Sequence, residues 1–417
     1  MNASTAAPVK PFGPPSVDQR PVIRNPLHFT RKEPVPQQGI DWAVSSMQSG
    51  EMFRYGLPEP ERSHVVQLER EFAAYMGATY ALGVNSCSTA IMLSLVACGA
   101  RPGDVILLPG FTFTAVPSAV VNLGLTPCFV EVDENYRVDL ADLEAKARDA
   151  KFFLISHMRG HLSNMRRVVA ICENHEMILV EDAAHALGSR WGGKLIGTFG
   201  TVGCYSAQSY KILNSGEGGL ITTDSDQLIA ELIYRSGAYE ELHQRHGIAS
   251  VAFEHYRDRF PINNLRMNEL TGAILRSQLV YIEERAALYR KNYDYLVAGL
   301  SQCNAVELPE ADSREERVPD SIQFKLKGFN GTQVADVVAL VKAAGLPLSA
   351  FGIDKSNARF FRNWKYCETP YLPRTEAAIR HTCDVRLPSS LTQDDLDDFV
   401  DVVVSAIEQV RRSAVAA

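Results

Sequence analysis

No two cysteines in this chain are spaced C-x-x-C, and the eight present (Cys87, Cys98, Cys128, Cys172, Cys204, Cys303, Cys367, Cys383) recur at no fixed interval. Their scatter gives no zinc cluster or other metal set, and fits the reduced thiols of a cytoplasmic protein better than a disulfide frame. No apolar run approaches the roughly 20 residues that cross a bilayer. The first 24 residues are polar and proline-rich, without the apolar centre of a signal peptide. Basic excess is lacking too: the formal net charge is -7, whereas a nucleic-acid partner asks for a concentrated cationic face. No helix-turn-helix or basic appendage points to DNA. Nucleotide motifs are only approached. Gly188-Ser-Arg-Trp-Gly-Gly-Lys194-Leu195 has Leu195 where a P-loop needs Ser or Thr, and Gly197, Gly200 and Gly203 have the wrong spacing for a dinucleotide fingerprint and mark turns.

What is present suits a soluble globular chain, with 46% hydrophobic and 22% charged residues. At 417 residues the length exceeds one ordinary core, which predicts two domains. Residues 1–40 hold eight prolines and little apolar periodicity, so they read as an extended arm. Beyond Glu61, helical and strand signals alternate. Val65–Met76 and Ser88–Ala97 have helical character, and Tyr80–Val84 reads as a short strand. Further short apolar runs lie at 104–109, 126–132, 151–156 and 177–181, each followed by a helical segment, as expected of strands buried on both faces of a mainly parallel sheet. After Gln278 a long helical pattern, Tyr281–Leu300, leads to a strand at Ser321–Leu326, a helix at 333–344 and a last helix at 392–410. We expect an α/β large domain over 41–285 and a small C-terminal domain over 286–417.

Chemistry concentrates in two stretches, Val-Glu-Asp-Ala-Ala-His (180–185) and Gly-Cys-Tyr-Ser-Ala-Gln-Ser-Tyr-Lys (203–211), the second followed by Gly-Glu-Gly-Gly (216–219). They offer an amine, a carboxylate at the end of an apolar strand, a histidine and a hydroxyl, the groups that a pyridoxal-phosphate site requires. Lys211 would form the Schiff base and shuttle the proton. Asp182, costly to bury alone, would pair with a protonated pyridine nitrogen, and His185 would face the same ring. Ser206 and the turn Ser86-Cys87-Ser88 before a helix offer an anion seat. Phe111 and Phe113 are candidates to stack on the ring. Taken singly, each has a plainer reading: solvated lysine, helix-capping Asp or Ser, core histidine, core aromatic.

Together these segments resemble the DegT/DnrJ/StrS sugar aminotransferase family, from about Phe53 to the C-terminus. The resemblance implies fold-type I architecture: a large domain on a mixed, mainly parallel seven-stranded sheet, a small C-terminal α+β domain, and a homodimer with shared active sites. By position, Lys211 matches the Schiff-base lysine, Asp182 the pyridine partner, His185 the residue beside the cofactor oxygen, Ser206 a phosphate-binding serine and Phe113 the stacking aromatic. Ser88 takes the place of the threonine in the phosphate turn, where Cys87 replaces a glycine. Asn264 matches an asparagine reaching the phosphate of the neighbouring subunit. Lysine at 211, where dehydrating relatives carry another residue, implies a transaminase. Phe53-Arg-Tyr-Gly56, His157-Met-Arg-Gly160 and Phe361-Arg-Asn-Trp-Lys365 resemble the branch that aminates a 3-deoxy-octulosonate sugar acid. That makes Arg54 and Arg159 candidate substrate residues, a cation at 159 suiting a carboxylate.

The expected activity is transfer of an amino group from an amino acid, glutamate or glutamine, to a keto or aldehyde carbon of a sugar or sugar-like acid, with pyridoxal 5'-phosphate as cofactor. The unusual Arg159 and the long arm motivate an alternative, elimination, cyclisation or decarboxylation of an amino acid on the same cofactor. A non-catalytic sensor of the same fold is the third reading.

Overall fold

Strands built from Val, Ile, Leu and Phe at every position must be covered on both faces, and this dictates the layering. In the computed structural model, which describes residues 21–249 and 251–416, seven strands form one sheet. Their spatial order is Tyr80–Val84, Gly219–Thr223, Val202–Ser206, Ile178–Asp182, Phe152–Ser156, Val105–Pro109 and Thr126–Val130. Gly219–Thr223 alone runs against the others. Alternation along one strand supplies both cores: Phe152 and Leu154 enter the cluster with the Cys87–Ala97 helix, Phe153 and Ile155 the cluster with Leu68 and Phe72. The chain leaves the adjacent strands Val105–Pro109 and Phe152–Ser156 in opposite directions along the sheet, and this reversal opens a crevice at their carboxyl ends, where ligands gather in such sheets, one strand from Ile178–Asp182.

A second sheet of four antiparallel strands is ordered Val306–Glu307, Ser321–Leu326, Cys383–Arg386, Ser349–Ala350. It packs with the helices Gly331–Ala343 and Gln393–Ala416 around a third core. Asn330 starts the first of these with a full capping box to Gln333. The C-terminal helix begins one residue after the expected Thr392 and runs past Val410 to Ala416. Ile282–Leu300 serves two cores, Ile282, Ala286 and Tyr289 entering the central one and Leu296 and Leu300 the third. A boundary near 286 therefore falls inside a continuous helix, and we propose it only as the point where the chain passes from one core to the next.

The described part of the N-terminal stretch differs from the extended arm expected of its prolines. Residues 21–40 fold back on their own chain, as a 3-10 turn at Pro26–Thr30 and the start of an α-helix at Gln37–Ser49. Ile23 and Phe29 are buried in the third core, with the Phe29 ring 6.1 Å from Phe399. Glu33 is buried as well and accepts hydrogen bonds from Tyr289 (2.7 Å) and Ser389 (2.9 Å), 3.4 Å from Arg285. Proline frequency concealed three anchors spaced too widely to give periodicity. Residues 1–20 of the expected arm lie outside the described residues.

The glycine-rich decoy is a hairpin: Arg190–Trp191 pairs with Lys194–Leu195 across Gly192 and Gly193, whose φ values of 56° and 81° are those of a type I′ turn. Gly197 and Gly200 donate backbone hydrogen bonds (2.9 and 2.7 Å) to the buried Glu181 carboxylate. Among the described residues no helix is long and apolar enough to cross a membrane, and no three His, Cys, Asp or Glu side chains group to hold a metal ion.

Candidate active site

Asp182 ends the strand Ile178–Asp182, and its carboxylate is 5% exposed. Ser156 on the adjacent strand donates to its Oδ2 at 2.7 Å, and the backbone of Ala184 donates to Oδ1 at 3.1 Å. Among the described residues no cation forms an ion pair with it, an arrangement that leaves a buried carboxylate without a charge partner. It faces a cavity of about 370 Å³ lined also by Ser86, Cys87, Ser88, Phe113, His185, Ser206 and Lys211.

The loop after Val202–Ser206 brings Lys211 into this cavity, its Nζ 2.9 Å from Nε2 of His185. The other ring nitrogen of His185, Nδ1, is 2.8 Å from Oδ2 of Asp320. Burial, reinforced by the neighbouring Lys211 charge, drives the imidazole down to about 3, so the ring is neutral at ordinary pH. Burial opposes ionisation of Asp320, but the His185, Arg386 and Arg159 contacts outweigh it and hold that carboxyl well below the usual range. A carboxylate cannot donate, so Nδ1 carries the imidazole proton and Nε2 presents its lone pair to Lys211. Burial also pulls Lys211 down to about 8, against the opposing pull of Asp320. Removing that anion with Asp320→Asn is expected to lower the Lys211 pKa further. Trinitrobenzenesulfonate labelling of the cofactor-free protein, mapped by peptide, should then have its pH midpoint below that of the wild type; an upward move would contradict the sign.

At the far side the Cys87–Ala97 helix points its free N-terminal N–H groups at the cavity, capped by Ser86, whose Oγ accepts from the Thr89 backbone at 3.1 Å. Cys87 is the first residue of the helix and is not among the positive-φ residues, so the turn does not need the glycine that Cys87 replaces. The Cys87 thiol is 3.9 Å from Asp182, and burial followed by that charge pushes it well up, keeping it protonated. Gly219, paired with Ser206 across the sheet, passes so close that a Cβ there would lie 2.7 Å from the Cys87 nitrogen. This approach seats Ser206 beside the helix N-terminus. Phe113 is 39% exposed and flanks the cavity, whereas Phe111 is buried against Tyr136 and Phe351. An unpartnered carboxylate, a neutralisable amine and an anion seat around one cavity fit a flat phosphorylated pyridine aldehyde.

Three expected residues are not brought to this cavity. Arg54 is buried, donating to Glu69 at 2.8 Å and lying 2.9 Å from His246, so it braces the core instead of meeting a substrate. Arg159 is buried too, in left-handed backbone (φ 56°), its guanidinium 2.5 Å from Asp384 and 3.7 Å from Asp320. Its charge is spent behind the wall, where it steadies Asp320. Asn264 is exposed and outside the cavity of its own chain. Conversely, sequence reasoning passed over Asp320, Arg359 and Arg386. Asp320 immediately precedes a strand and Arg386 ends one, but neither stands in a motif.

Known proteins supply an independent comparison. The profile of the DegT/DnrJ/EryC1/StrS aminotransferase family matches residues 54–404. The chain is 27% identical to the spore coat polysaccharide biosynthesis protein SpsC of Bacillus subtilis, over 81% of this chain and 88% of that one. It is 29% identical to 3-amino-5-hydroxybenzoate synthase of Amycolatopsis mediterranei, over 74% and 77%. Among solved structures, a 3-amino-5-hydroxybenzoic acid synthase superposes with a TM-score of 0.78 at 23% identity, over 94% of this chain and 100% of that one. A putative sugar aminotransferase, Spr1654 from Streptococcus pneumoniae, gives 0.79 at 18% identity, over 91% and 99%. The seven-stranded sheet with its smaller C-terminal sheet is thus the fold-type I arrangement.

Proposed function

The chain belongs to the DegT/DnrJ/EryC1/StrS aminotransferase family, and from that premise we propose that it moves the amino group of glutamate or glutamine to a keto or aldehyde carbon of a sugar or sugar-like acid. It is a pyridoxal-phosphate enzyme. When bound, this cofactor supplies a carbonyl that captures amines and a protonated ring that takes up the electron pair left when a proton departs. The chain's residues divide the remaining work. Asp182 would pair with the ring nitrogen and favour its protonated form. The helix N-terminus with Ser86, Cys87 and Ser88, together with Ser206, holds the phosphate. Phe113 flanks the ring, and His185 sits beside its oxygen. Lys211 would hold the cofactor through its amine and would move the proton at the reacting carbon, a task suited to an amine titrating near working pH.

The observation that carries this reading is the Lys211–His185–Asp320 row beside a buried carboxylate without a charge partner. The alternative of elimination, cyclisation or decarboxylation rested on Arg159 and the arm; Arg159 is paired with Asp384, and residues 21–40 of the arm pack on the chain's own core. Purified enzyme mixed with glutamate or glutamine alone should release one equivalent of the matching keto acid per site. Breakdown of the amino-acid skeleton without keto acid would reject transamination.

We further propose a homodimer. Exposed Asn264 would turn toward the phosphate seat of the neighbouring subunit, and exposed Ile40, Val44 and Met47 on one face of the Gln37–Ser49 helix supply apolar surface for the contact.

A further inference from the structure

One guanidinium on the cavity wall forms no ion pair among the described residues. Arg159 meets Asp384 at 2.5 Å and Asp320 at 3.7 Å, and Arg386 stands 3.9 Å from Asp320, so two carboxylates balance two guanidiniums. Asp182 faces the ring seat, and Glu217 lies on the exposed rim. Arg359 forms no ion pair among the described residues, and its Nε is buried without a hydrogen-bond partner. Burial, followed by the charge of Arg159, draws it down to about 10. Leaving a guanidinium in that condition is costly unless a ligand completes it.

The segment carrying it is held in place. The carbonyl of Ala358 accepts from the Thr114 backbone (3.1 Å) and the Trp364 indole (3.0 Å), and the Arg359 backbone donates to Asn357 at 2.9 Å. The guanidinium lies 6.0 Å from the centre of the Phe113 ring.

We infer that Arg359 seats a carboxylate of the substrate. The inference rests on the transaminase reading and narrows its substrate class to acids. Such a carboxylate has two sources, the amino-acid donor or the acid group of a sugar-acid acceptor. A planar, fixed guanidinium recognises either by paired charge-assisted hydrogen bonds.

Calorimetric titration of the cofactor-loaded protein with glutarate, D-glucuronate and D-glucose tests this. Arg359→Gln is expected to weaken binding of a carboxylate probe by at least about tenfold and to leave D-glucose unchanged, with Arg359→Lys intermediate. Loss confined to glutarate assigns the seat to the donor, loss confined to D-glucuronate assigns it to the acceptor, and loss of both makes it shared. Equal carboxylate affinity in wild type and Arg359→Gln, or no carboxylate binding by the wild type, overturns the inference. Should Arg359→Gln not fold, Arg359→Lys carries the comparison. Failure of the transaminase reading would appear separately, as wild type yielding no keto acid from glutamate or glutamine, with the binding comparison intact.

Discussion

Lys211→Ala is expected to lower turnover by more than about 10⁴-fold, because it removes a nucleophile and a proton carrier in one step. The size of the effect follows from where the amine sits. Burial holds Lys211 at about 8, so at pH 7 roughly one tenth of it is unprotonated, against roughly one part in 3,000 for an ordinary lysine. His185 adds a lone pair 2.9 Å away, held in that tautomer by Asp320. No other amine among the described residues lines the cavity, so no neighbour can take over. Borohydride treatment of the cofactor-loaded wild type should fix the cofactor mass on the peptide containing Lys211, and the alanine variant should carry none. Turnover at the wild-type rate in that variant, or fixation on another lysine, would refute the assignment.

Asp182→Asn is the second large effect, expected to reduce kcat by on the order of 10³. The substitution is nearly isosteric: the amide oxygen can accept from the Ala184 backbone, and the amide nitrogen can donate to the Ser156 hydroxyl, which in the wild type donates to the second carboxylate oxygen. What disappears is the negative charge, the one feature able to keep a ring nitrogen protonated in a buried site. A charge-assisted hydrogen bond is worth about 1.5–3 kcal/mol, so cofactor affinity should weaken by roughly 10- to 100-fold. Melting of the cofactor-free variant should shift by only a few degrees. Equilibrium binding of the cofactor, stopped-assay kcat and a melting curve together separate these outcomes; unchanged affinity with unchanged kcat would remove Asp182 from the site.

The amino-acid sequence by itself determined the layers and the first members of the site. Continuous apolar runs, such as Lys151-Phe-Phe-Leu-Ile-Ser, fit only strands covered on both sides, and Tyr80–Val84 and Ser321–Leu326 were legible to the residue. Lys211, Asp182, His185 and Ser206, which the fold brings to one cavity, stand in short stretches whose spacing has chemical meaning, and the family resemblance singled out Phe113 beside them. Tertiary structure decided the rest. Asp320 meets His185 across 135 positions, and Arg159 meets Asp384 across 225; no local pattern encodes such pairs. Arg54, Arg159 and Arg359 are the same residue type in sequence. Folding buries the first against Glu69, pairs the second with Asp384 and Asp320, and leaves the third with no ion pair among the described residues. A charge acquires its role from burial and from the partners within a few ångströms, and both are properties of the packed chain.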